Sequence, residues 1–184
     1  MELPTLTLQR DDPSPANLVS CALFGDGAAA TVLTGRPARG LQVVGTHSHL
    51  IPDSLDAMGF DLKGSGFHIV LSRSVPQLIR AEIGAVTLDF LQRHQLARAD
   101  LRFFLLHPGG QKLLAYVEEE MGLLPEQTLP SWKVLSEYGN LSSATVLFVM
   151  KEFLAGPPPQ SGEHGLLAAF GPGFSMEMCL LQWN

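Results

Sequence analysis

His107 ends the apolar run Leu101-Arg102-Phe103-Phe104-Leu105-Leu106 and is followed at once by Pro108-Gly109-Gly110. An imidazole can accept, donate or carry a proton near neutral pH. Pro108 stiffens the turn, and Gly109 and Gly110 leave backbone open to a bound molecule. Ligands of open α/β sheets gather at the carboxyl ends of strands, where the amides of the next helix point outward. Asn140 holds a comparable place, since Tyr138-Gly139-Asn140 precedes a run without charge from Leu141 to Met150. Its carboxamide either caps that helix or turns into a site. Gly171-Pro172-Gly173 is a third turn that exposes backbone, and a plain hairpin turn explains it equally well.

Other candidates are weaker. His47 and His49 alternate onto one face of a strand-like segment, but no Cys or further His is spaced to complete a ligand set, so no metal is expected. Cys21 and Cys179 stand away from helix starts, where a thiolate would be favoured, and both read as small buried hydrophobes. Two cysteines in 184 residues fit a reducing compartment. The net charge of -6 argues against nucleic acid. No apolar run reaches a membrane span, and Met-Glu-Leu-Pro is no signal peptide. Charged residues are only 16% of the chain, so much of its surface is expected to be covered, by a partner subunit or by missing chain. A soluble, cytoplasmic protein rich in interfaces is the expectation.

The elements that must hold these residues follow from periodicity. Glu2 to Gln9 alternates weakly, as a strand without a lead-in, and Arg10 to Asn17 reads as loop. Leu18 to Leu33 carries Gly and Ala residues that mark close backbone approach, then becomes a strand. Leu41 to Leu50 alternates and forms a hairpin with it through Gly35–Gly40. Ile51 to Gly66 reads as loop, and Phe67 to Leu71 as a short strand. Ser74 and Gln77 match a capping box ahead of an amphipathic helix, Val75 to His94. Leu101 to His107 reads as a strand buried on both faces in a parallel sheet. Gly109 to Met121 is helical with Gly122 as its stop, and Leu129 to Tyr138 is a further helix. Leu141 to Met150 lacks a polar face and reads as buried on every side. Two apolar strands, Gly165 to Phe170 and Met176 to Trp183, close an α/β layered domain.

Five segments taken together resemble the C-terminal half of a chalcone/stilbene synthase-type enzyme, a type III polyketide synthase of the thiolase superfamily. They are Ala22 to Ala30 (ALFGDGAAA), Gly66-Phe67-His68, His107 to Gly110 (HPGG), Ser136 to Ala144 (SEYGNLSSA) and Phe170 to Gly173 (FGPG). The resemblance implies the C-terminal half of a thiolase-like α/β fold, a mixed five-stranded sheet with helices on both faces, over residues 1–184. It also implies decarboxylative Claisen condensation of malonyl-CoA with an acyl-CoA starter, coenzyme A thioesters being substrates and no cofactor being needed.

By the same resemblance His107 and Asn140 are catalytic. His107 as imidazolium would hold a cysteine thiolate, and both would donate hydrogen bonds to the malonyl thioester oxygen. Phe24 and Phe67 match an aromatic gate, and Gly109, Gly110, Ser142 and the Gly171-Pro172-Gly173 turn match the cavity lining. The nucleophilic cysteine belongs to an N-terminal half that this sequence does not contain, so the chain alone is expected to be inactive. The apolar helix Leu141 to Met150 would then need cover, by a second copy or a rearranged segment, and a homodimer through it is the expectation. A non-catalytic interaction subunit of the same fold and a carrier-protein-dependent condensing enzyme are the competing readings.

Overall fold

A computed structural model of the chain describes residues 1–36 and 39–184. One mixed sheet is built from β1 (Leu41–Leu50), β4 (Leu101–Leu106), β5 (His164–Gly171) and β6 (Ser175–Trp183), in the order β1-β6-β5-β4. A second pair, β2 (Met58–Lys63) and β3 (Gly66–Leu71), forms a separate antiparallel hairpin. The helices are α1 (Pro15–Leu23), α2 (Val75–Arg93), α3 (Gln111–Met121), α4 (Pro125–Tyr138) and α5 (Thr145–Leu154). β4 and β5 run parallel because three helices separate them in sequence, whereas β5 and β6 are joined by a tight turn and run antiparallel.

The apolar pattern divides between two layers. On one face Ile79, Ile83, Val86 and Phe90 of α2 meet Leu113, Leu114 and Val117 of α3 over Leu166, Ala168, Met176 and Met178 of the sheet. Each fully buried side chain of this size contributes roughly 1.5–3 kcal/mol. On the other face Phe103, Leu105 and Leu181 meet Val134 of α4 and Val149 of α5. β4 is buried at five of its six positions, which is why it reads as a continuous apolar run. α3 stops at Gly122, whose φ of 56° is left-handed and suits a residue without Cβ.

Several sequence expectations need correction. Among the described residues the main sheet has four strands, not five. Glu2–Gln9 is no strand: Pro4 opens a 3-10 turn over Pro4–Thr7, leaving one antiparallel bridge between Glu2 and Gly27. Leu18–Leu23 lies in α1, and residues 28–34 have no strand partner among the described residues, so β1 pairs with β6 instead of a preceding strand. Two residues of the expected Gly35–Gly40 turn, Pro37 and Ala38, lie outside the described residues.

Other corrections bear on the site. The loop expected over Ile51–Gly66 contains β2. Ser74 makes no side-chain cap, and its hydroxyl bonds that of Ser72 instead. The charge-free run begins as a 3-10 turn (Ser142–Ala144), and within α5 only Thr145 and Val149 are buried. Phe148, Met150 and Phe153 are half-buried. No helix among the described residues is long and apolar enough to cross a membrane.

Candidate active site

His107 is held where β4 ends. Its backbone N–H donates to Ala168 O at 2.8 Å, carrying the parallel pairing one residue beyond the strand. The buried Ser131 hydroxyl of α4 donates to Leu106 O at 2.7 Å, so the peptide before His107 is pinned as well. The imidazole is itself buried, and burial pushes its pKa from 6.5 down to about 4. In this chain His107 is therefore neutral at pH 7.

Asn140 is fixed through both its backbone and its carboxamide. Its N–H donates to Leu23 O at 2.8 Å and its carbonyl accepts from Gly25 N–H at 2.9 Å, a parallel bridge centred on Phe24. Gly139 permits this approach at φ 73°, because a Cβ there would lie 2.7 Å from Leu23 O. A Cβ on Gly25 would lie 2.9 Å from Tyr138 O and one on Gly27 3.0 Å from the Leu141 side chain, the close contact their residue type implies. The Asn140 Oδ1 accepts from Ser142 N–H at 2.8 Å, and Nδ2 donates to Gly109 O at 3.3 Å. His107 lies at the same glycine: a Cβ on Gly109 would meet its Nε2 at 3.7 Å. Two polar side chains from two different turns therefore converge on Gly109.

They line a largely apolar cavity of about 730 Å³. Phe24, His107, Gly109, Gly110, Asn140, Ser142, Gly171 and Pro172 all lie in its wall. Phe67 and Gly173 do not. Phe67 shares a face of β3 with Ile69 and Leu71 but sits at the hairpin tip, 49% exposed and edge-on to Phe60 at 6.4 Å. Gly173 faces Leu50. Met58, Gly59, Phe60, Ile69 and Leu71 form the hairpin's contribution to the wall, and sequence reasoning passed over all five as site residues. The Lys63-Gly64-Ser65-Gly66 turn, between the alternating Met58, Phe60 and Leu62 and the apolar run from Phe67, was the available signal.

The remaining candidates sit apart from the cavity. His47 stacks on Phe90 at 5.5 Å, and among the described residues no three His, Cys, Asp or Glu side chains are grouped to hold a metal. Cys21 is exposed on α1, contrary to its reading as buried, and Cys179 is half-buried. Burial and then Glu177 push the Cys179 thiol pKa up, so Cys179 is not an activated nucleophile.

The family model for chalcone and stilbene synthases, C-terminal domain, matches residues 42–183. The chain belongs to that family. The whole chain aligns at 43% identity with half of a 1,3,6,8-tetrahydroxynaphthalene synthase from Streptomyces peucetius subsp. caesius. The crystal structure of 1,3,6,8-tetrahydroxynaphthalene synthase from Streptomyces coelicolor A3(2), a bacterial type III polyketide synthase, superposes with a TM-score of 0.91 at 34% identity. That match covers 96% of this chain and 50% of that one. A polyketide synthase structure from the brown alga Ectocarpus siliculosus matches with a TM-score of 0.80 at 30% identity, over 94% of this chain and 48% of that one. This chalcone/stilbene synthase C-terminal domain thus spans about half the length of the relatives it matches, and it has their thiolase-like α/β fold.

Proposed function

We propose that this chain carries the enolate-stabilising half of a condensing enzyme that joins malonyl-CoA to an acyl-CoA starter, and that it is inactive without a half bearing the nucleophilic cysteine. The observation that supports it is the convergence of His107 and the Asn140 donor on Gly109 at the wall of one apolar cavity. Decarboxylation breaks the bond between the malonyl carboxylate and Cα, releases carbon dioxide and leaves the electron pair as a thioester enolate. A nitrogen-bound hydrogen of His107 and one from Asn140 Nδ2 would hold the enolate oxygen. Such donors in a dry site act most strongly on charge that develops only during the reaction. The enolate carbon then attacks the acyl-cysteine carbonyl, forming a carbon–carbon bond and expelling the thiolate.

Burial sets a condition on this chemistry. His107 is neutral here, and an imidazolium at this depth needs an anion beside it. A cysteine thiolate from the other half would supply that anion, each charge shifting the other's pKa toward ionisation. The half-buried side of α5 and exposed Val32 and Leu33 are surfaces for that half or for a second copy of the chain. Malonyl-CoA decarboxylation, with and without the cysteine-bearing half, tests the proposal.

A further inference from the structure

We infer that Thr145 is a positioning residue that keeps the donor end of the Asn140 carboxamide turned toward Gly109 and His107; its catalytic consequence rests on the condensing-enzyme reading above. Thr145 is fully buried at the start of α5. Leu141 N–H donates to its hydroxyl at 2.8 Å, and the hydroxyl donates to Ser142 O at 2.7 Å. Asn140 Oδ1 lies 3.4 Å from the same oxygen. One hydroxyl therefore ties the Asn140–Leu141 peptide to the Ser142–Ser143 peptide, on either side of the Leu141–Ser142 peptide.

The Leu141–Ser142 peptide, held between them, decides which way the carboxamide faces. Ser142 adopts φ 54°, a left-handed conformation that a residue with a side chain takes only when its surroundings impose it. In that conformation its N–H reaches Asn140 Oδ1 at 2.8 Å. A reversed carboxamide would set Nδ2 against this N–H, donor against donor, and Oδ1 against Gly109 O, acceptor against acceptor. The orientation depends on the Ser142 backbone, and the Ser142 backbone is held by Thr145. Leu23 O and Gly25 N–H fix the Asn140 backbone but leave the carboxamide free to turn.

The test uses four variants of this chain: Thr145→Val, Thr145→Ser, Asn140→Ala and the Thr145→Val/Asn140→Ala double. Assembled with the cysteine-bearing half, Thr145→Val is expected to lower kcat for malonyl-CoA decarboxylation about tenfold with KM nearly unchanged. Thr145→Ser, which keeps the hydroxyl, should restore most of the rate. The double variant should be no slower than Asn140→Ala alone, because both changes remove one function. Wild-type rates in Thr145→Val, equal losses in Val and Ser, or additive losses in the double variant would each overturn the inference.

A second measurement needs no activity. In the chain labelled with 15N-asparagine, the two Asn140 side-chain amide protons should exchange slowly by rotation in wild type and Thr145→Ser, and faster in Thr145→Val. An unchanged Asn140 amide in a folded Thr145→Val would overturn the inference. If the assembled wild type fails to decarboxylate malonyl-CoA, the functional reading falls while this spectrum still decides the role of Thr145.

Discussion

Asn140 Nδ2 donates to Gly109 O at 3.3 Å across a separation of 31 residues, so the turn after β4 and the turn after α4 meet in one hydrogen bond. Each turn could form alone; the bond gives the pair a common geometry. Asn140→Asp keeps an acceptor for Ser142 N–H but sets an oxygen against Gly109 O. With the donor gone, decarboxylation by the assembled enzyme is expected to fall on the order of 100-fold, with an unchanged circular dichroism spectrum.

His107 links the site to stability. Its folded pKa of about 4 lies below its ordinary 6.5, so the unfolded chain binds the proton more readily. Stability from keeping this histidine neutral is complete above pH 6.5 and is lost as the pH falls toward 4. Over that window it amounts to about 3 kcal/mol. Urea unfolding at pH 7 and pH 4.5 should show the wild type losing more stability than His107→Gln. Equal losses would mean that His107 is not buried as described.

Gly139 is expected to tolerate no side chain. Gly139→Ala would combine a disfavoured φ of 73° with a Cβ 2.7 Å from Leu23 O, the acceptor of the Asn140 N–H. A loss of about 2 kcal/mol or more in denaturant unfolding is predicted, together with broadened Asn140 resonances. An Ala variant as stable as wild type would show that the bridge at Phe24 is not needed.

Much of this site is legible in the sequence because its signals are local. An apolar strand, a histidine and Gly-Gly in succession encode a strand end and a helix start, and β4 and α3 follow them. α2 is equally plain, since Ile79, Ile83 and Val86 recur at helical spacing. The hairpin was missed because β2 mixes Gly59, Asp61 and Lys63 with its apolar residues and is mostly exposed. Phe67 and Ile69 alternate onto one face, and which of them reaches the cavity depends on distance from the tip, a tertiary property. Residues 28–34 have strand-like composition, but a strand exists only with a neighbour to pair with. For α5, uniform apolarity does not tell which side the chain itself covers.

Arg98 braces the frame behind the site. It donates from Nε to Met121 O at 2.9 Å and from Nη2 to Gly122 O at 3.2 Å, and its guanidinium lies 4.8 Å from the centre of the Phe104 ring. It thus caps α3 and covers β4 from outside the cavity. Arg98→Ala should cost about 1–2 kcal/mol in thermal or denaturant unfolding. The assembled enzyme should keep its KM for malonyl-CoA, and a changed KM would place Arg98 closer to the substrate than the fold allows.

Malonyl-CoA decarboxylation, followed as carbon dioxide release, tests the central claim most directly. It is to be measured on this chain alone, on the cysteine-bearing half alone and on the two together. Activity only in the mixture, reduced on the order of 100-fold by His107→Ala or Asn140→Ala, is the predicted result. A mixture whose halves associate but release no carbon dioxide, or whose rate is indifferent to both substitutions, would contradict it.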